Sequence, residues 1–134
     1  MKINHLIIGA KNAEESVRFY CEVIGYERGE SFVDTGTSKE GVILVRDQWP
    51  ELLIVPFRDE RLPSPQHIAF EVEEAKFDKI FLKCKEREIF IRAEPPLNSK
   101  KEGLGEIVQS GVRYSHFYIC DPSQVNIEIM KPFS

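Results

Sequence analysis

Three side chains carry the chemistry this sequence advertises: His5, His67 and Glu128. Side chains alternate between the two faces of a strand. In the run around His67, Ile68, Phe70 and Val72 share one face, and His67, Ala69 and Glu71 share the other. Near the C-terminus Val125, Ile127 and Ile129 share a face opposite Asn126, Glu128 and Met130. The all-apolar faces belong under helices, so His67 and Glu128 both point to a helix-free face. His5 lies in an equivalent strand at the start of the chain, on a face with Ile3 and Ile7. Two imidazoles and one carboxylate gathered on a sheet form a ligand set for Zn, Mn, Ni, Co or Fe(II). Three protein ligands leave coordination positions open for water or substrate. The plainer alternatives are a histidine that is only a surface or core residue, and a solvated terminal-strand glutamate.

A second rank of candidates lies on the neighbouring strand, where His116, Tyr118 and Cys120 alternate. That strand pairs with the Glu128 strand through the short turn at residues 121–124. An unperturbed imidazole titrates near neutrality, which makes His116 a candidate general base. Tyr118 would donate a hydrogen bond to a substrate oxyanion. A strand-mouth His116 bonded only to solvent is the competing account.

The elements that must hold these residues repeat. His5 opens a strand, and Asn12 with Glu15 three residues on marks a helix start. Val17, Tyr20, Cys21 and Ile24 follow at i, i+3, i+4 and i+7, and Gly25 closes the helix. Strand-like runs cover 26–34, 41–46 and 51–57, with a break at 35–38. After a proline-marked stretch at 58–66, His67 opens a strand again. Phe77, Ile80, Phe81 and Cys84 repeat the helical stripe. Strands are expected at 89–93, 112–120 and 125–130. The first stripe begins twelve residues after His5 and the second ten after His67. A unit used twice follows: module 1 at residues 1–57, a linker at 58–66, and module 2 at 67–134. The expected fold is α+β, two βαβββ modules making a curved, mostly antiparallel cup-shaped sheet with helices on its outer face. Residues 94–111, with two prolines and three glycines, read as an irregular flap or a plain insertion.

Composition narrows the partners. The 134 residues carry a net charge of −4, with 42% hydrophobic and 30% charged residues. That balance disfavours a nucleic-acid binder or a polybasic membrane anchor. No apolar run approaches a membrane span. Three cysteines, Cys21, Cys84 and Cys120, without CxxC spacing, argue against a disulfide framework and for a reducing cytoplasm. Trp49 is expected at a rim or a contact between copies, and Arg113, Lys100 and Lys101 near the flap are candidates to meet an anion.

The opening NHLIIGAKNAEESVRFYCEVIGYE resembles the first module of the glyoxalase/bleomycin-resistance/extradiol-dioxygenase (vicinal oxygen chelate) superfamily. HIAFEV resembles the start of its second module, and FYICDPSQVNIEIM its closing strand pair. The resemblance implies a cup built from two modules, a homodimer, a small-molecule substrate and a divalent metal on His5, His67 and Glu128. Matching Val55-Pro56-Phe57 with Lys131-Pro132-Phe133 puts Leu52 at the family's fourth ligand position. Glyoxalase I enzymes usually have Glu or Gln there, and Glu51 next door is expected on the other face. The His-His-Glu set looks more like fosfomycin-modifying transferases or extradiol dioxygenases. The implied function is a metal-dependent lyase, isomerase or transferase using Lewis-acid catalysis. An Fe(II) dioxygenase is the alternative. A third reading is a drug- or metabolite-sequestering binder, kept open by the apolar faces of the first and fourth strands.

Overall fold

The computed structural model describes residues 3–34, 38–56 and 67–133, so the expected linker at 58–66 and all but Ser38 of the expected break at 35–38 lie outside the described residues. The chain divides into two compact units, Met1–Pro63 and Ser64–Ser134. Each is a βαβββ arrangement. The first unit holds β1 (His5–Ala10), α1 (Ala13–Phe19), a π-helical turn (Tyr20–Ile24), β2 (Glu27–Asp34), β3 (Lys39–Val45) and β4 (Glu51–Pro56). The second holds β5 (His67–Glu71), α2 (Glu74–Glu86), β6 (Gly105–Gln109), β7 (Val112–Cys120) and β8 (Asn126–Pro132). The strand orders are β1-β4-β3-β2 and β5-β8-β7-β6. In each sheet the first and last strands pair in parallel and the remaining pairs are antiparallel. This is the expected α+β class.

Local chemistry explains the first helix. The Asn12 side chain accepts the Glu15 N–H at 3.1 Å, which satisfies one of the open donors of the first turn. The last turn widens, with the Gly25 N–H donating to the Tyr20 carbonyl five residues back. Gly25 then takes φ 106, a left-handed conformation that suits glycine. The wide turn rotates the stripe: Tyr20, Val23 and Ile24 are buried, but Cys21 is only half-buried, against its expected place in the core. In α2 the stripe is as spaced. Phe77, Ile80 and Cys84 are buried, and Phe77 and Phe81 pack edge-on against Phe117 of β7 at 5.1 and 5.5 Å.

Two expectations in the second unit need correction. Residues 89–93 form no strand of the sheet; they reduce to two isolated bridges at Arg92, one to Glu102 and one to Tyr118, with which Arg92 exchanges backbone hydrogen bonds at 2.8 Å. The stretch 94–111 is not irregular throughout, because its second half is β6. Strand β6 is an edge, paired only with β7, so its sequence need not be apolar, and its Val108 is exposed.

The β7–β8 turn is built on Asp121, whose carboxylate accepts the Ser123 and Val125 N–H groups at 2.8 and 2.9 Å. Gln124 sits at φ 70. A side chain strains that left-handed backbone by about 1 kcal/mol, which glycine avoids. Gln124→Gly should therefore raise stability by about 1 kcal/mol, read as a higher urea midpoint at unchanged slope.

Candidate functional site

Strand β8 lies inside its sheet, with β5 on one side and β7 on the other. Its register sets Glu128 between Ala69 of β5 and Tyr118 of β7. Alternation then places Asn126, Glu128 and Met130 on the face away from α2, with His67 at the start of β5 and His116 and Tyr118 on β7. The Glu128 carboxylate, 5% exposed, is held from two sides. His67 Nε2 lies 3.0 Å from Oε1, and His116 Nδ1 lies 2.8 Å from Oε2. A carboxylate only accepts, so both ring nitrogens donate in this arrangement. The Tyr118 hydroxyl is also hydrogen-bonded to Glu128. The Tyr118 ring meets the rings of His67 and His116 edge-on, with centroids at 5.8 and 4.9 Å. Burial first, then the negative Glu128, pushes the Tyr118 phenol up to about 12, so it stays a proton donor near neutrality.

Four of the five sequence-derived candidates thus meet in one unit: His67, His116, Tyr118 and Glu128. His67 is the exposed member, with 43% of its side chain accessible. His116 is 2% exposed, so it sits behind Glu128 rather than at a strand mouth. His5 belongs to the first unit, where it is exposed and its Nδ1 lies 2.8 Å from Asn4 Oδ1.

The fourth position requires a correction. His67 pairs with Asn126 and Ala69 with Glu128, whereas His5 pairs with Glu51 and Ile7 with Leu53. The counterpart of Glu128 is therefore Leu53, not Leu52. Leu52 is fully buried beside Leu6 on the helix side. Glu51 shares a face with His5, opposite to expectation. A register slip of one residue exchanges faces, and matching the Pro-Phe pairs introduced that slip. The position remains apolar.

One residue close to the cluster escaped sequence reasoning. Arg92 is 2% exposed and lies in the apolar run IFIRA. Its Nη1 donates to the Pro95 and Pro96 carbonyls at 2.8 and 2.9 Å, and its Nη2 donates to Asn126 Oδ1. Its guanidinium lies 5.8 Å from the Tyr118 ring centroid. Asn126 Nδ2 donates to the Pro95 carbonyl at 3.0 Å. The signal available was a lone charge inside a strand-like apolar run. Two of the cations singled out instead make exposed pairs, Arg113 with Glu106 at 2.9 Å and Lys101 with Glu94 at 3.7 Å. In the first unit the Arg46 guanidinium stacks on Trp49 at 4.2 Å. Both line a cleft of about 1120 Å³ together with Ile3, Asn4 and Glu51.

The donor types present in the second unit fit a divalent metal. A neutral imidazole and a carboxylate suit Zn, Fe, Ni and Mn. Two ligand atoms each about 2.1 Å from one ion, roughly at right angles, stand about 3 Å apart, and His67 Nε2 and Glu128 Oε1 have that separation. Among the described residues no group of three or more His, Cys, Asp or Glu is arranged to hold a metal ion.

Arg92→Lys should be strongly destabilising. Lysine keeps the charge but cannot reach two carbonyls and Asn126 with one ammonium. Lost charge-assisted bonds of about 1.5–3 kcal/mol each predict a fall of about 3 kcal/mol or more in chemical denaturation.

Comparison with known proteins places the chain. The model of the glyoxalase/bleomycin resistance protein/dioxygenase superfamily matches residues 2–129. No curated protein shows significant similarity. Among solved structures, oxidase ChaP-H2 shares 26% identity at TM-score 0.72, covering 98% of this chain and 93% of that one. Oxidase ChaP-H1 shares 23% at TM-score 0.75, with 98% and 95% covered. A glyoxalase family protein from Enterococcus faecalis shares 21% at TM-score 0.70, with 96% of each chain covered. With a family model spanning nearly its whole length and the two βαβββ units described above, the chain belongs to the glyoxalase/bleomycin resistance protein/dioxygenase superfamily.

Proposed function

We propose that this protein is a metal-dependent enzyme acting on a small oxygenated molecule, with His67 and Glu128 of the second unit as ligands of a divalent cation; His5, the third ligand that the sequence suggests, lies in the first unit. The observation that carries this reading is the 3.0 Å approach of His67 Nε2 to Glu128 Oε1 on the helix-free face of the sheet. Members of the superfamily are generally metal-dependent, typically bind small molecules and often form dimers. The bound cation would supply Lewis acidity toward substrate oxygens. The protein's own residues do the rest. Tyr118 keeps its proton well above neutral pH and, by turning its single O–H away from Glu128, can donate it in a hydrogen bond to a substrate oxygen beside that carboxylate. Ala69, the β5 partner of Glu128, offers only a methyl group and leaves room next to the carboxylate.

The reaction class that suits this set is that of a lyase, isomerase or transferase of the fosfomycin type. Leu53, standing where Glu128 has its counterpart, provides no second carboxylate for a glyoxalase I type proton shuttle. Oxidation with an Fe(II) ion on the same residues is a second reading, favoured by the 26% identity to oxidase ChaP-H2 over 98% of the chain. We read the assembly as a homodimer of two-module chains working in the cytoplasm.

Metal content, measured by elemental mass spectrometry on protein purified without added metal or chelator, tests the reading. About one metal per chain is expected, reduced at least tenfold in His67→Ala and Glu128→Ala. Oxygen uptake restored by Fe(II) would select the oxidase reading over redox-silent chemistry. No metal even after incubation with Zn, Ni, Mn and Fe(II) would overturn both and leave a sequestering binder.

A further inference from the structure

We propose that His116 is a positioning residue that acts through Glu128: its buried imidazole holds one carboxylate oxygen so that the other is presented to His67. The inference rests on the metal reading above and adds to it a fixed division of labour between the two carboxylate oxygens.

The two imidazoles grip opposite oxygens, His67 taking Oε1 and His116 taking Oε2. They differ in access. The His67 side chain is 43% exposed and that of His116 is 3% exposed. His116 therefore has no solvent path by which to exchange a proton with a substrate, and the role of general base does not suit it. Its ring is fixed by its surroundings. On β8 it faces Met130, on its own strand its neighbour is the Tyr118 ring, and on β6 its backbone partner is Gly105. Gly105 is there for space: a Cβ at that position would meet His116 Nε2 at 3.0 Å and the Ala93 carbonyl at 2.6 Å. The edge strand β6 thus approaches the imidazole more closely than any side-chain-bearing residue would allow.

A carboxylate free to rotate loses that freedom when it binds a ligand, and it competes with itself between one-oxygen and two-oxygen modes. A donor locked onto Oε2 removes the rotation in advance and leaves Oε1 as the presented atom. The first unit lacks the device altogether, since its paired residues Ile43 and Leu53 occupy the places of Tyr118 and Glu128.

The test is competition of Zn²⁺ and Mn²⁺ between a chromogenic chelator and four proteins: wild type, His116→Leu, His116→Asn and His116→Gln. Circular dichroism and thermal melting would be recorded on each. Asparagine puts its amide nitrogen where Nδ1 stands, whereas glutamine moves the donor toward the Nε2 position, and leucine has no donor. His116→Leu and His116→Gln should bind each metal about 10- to 100-fold more weakly, with His116→Asn within about threefold of wild type. If leucine fails to fold, the contrast between asparagine and glutamine decides alone. Equal affinity in wild type and leucine variant, or equal weakness in asparagine and glutamine variants, overturns this inference while leaving the metal reading intact. A wild type that takes up neither metal overturns the parent reading and this one with it.

Discussion

The second unit is organised around one negative charge kept out of water. Glu128 sits in the interior strand of its sheet at 5% exposure. An ionised carboxylate in such a place is tolerated only if donors surround it. Three are supplied, from His67, His116 and Tyr118. Each of them is delivered by the β5-β8-β7 register, and a one-residue slip in either pairing would turn the donor to the wrong face. The edge strand and the Arg92 bridge serve the same end. Gly105 of β6 makes room for the His116 ring, and Arg92 lies beside Tyr118 and bonds to Asn126, two residues before Glu128.

The duplicated unit separates what the fold requires from what the chemistry requires. The helix-side positions agree in kind between the two units: Leu52 and Ile127 are both fully buried next to the first strand of their sheets. The opposite faces diverge. Tyr118 and Glu128 in one unit correspond to Ile43 and Leu53 in the other. Packing under a helix constrains one side of each sheet, and the other side is free to carry polar groups in one copy and apolar groups in the other.

Much of this was legible in the residues themselves. The helical stripes, the Asn12 cap, Gly25 and the strand alternation that brings His67, His116, Tyr118 and Glu128 to one face all follow from short-range rules. What was not legible depends on distant partners. Strand β6 has no strong pattern because an edge strand is paired on one side only. Arg92 reads as an oddity until the carbonyls of Pro95 and Pro96 are seen to receive it. Cys21 left the core because the helix widens at Tyr20, a change that residue spacing does not reveal. Residue matching points to Leu52 where the fold puts Leu53, because sequence alignment cannot fix a register that cross-strand pairing decides.

The central claim is that Glu128 and His67 act together on a cation while His116 stays behind the carboxylate. The most direct measurement is long-range ¹H–¹⁵N nuclear magnetic resonance of the histidine rings in the wild-type protein during titration with Zn²⁺. The account predicts that His67 Nε2 loses its proton and takes a metal-bound shift, while His116 Nδ1 keeps its proton throughout. A His67 ring unmoved by zinc, or a His116 Nδ1 that gives up its proton to the metal, would contradict it.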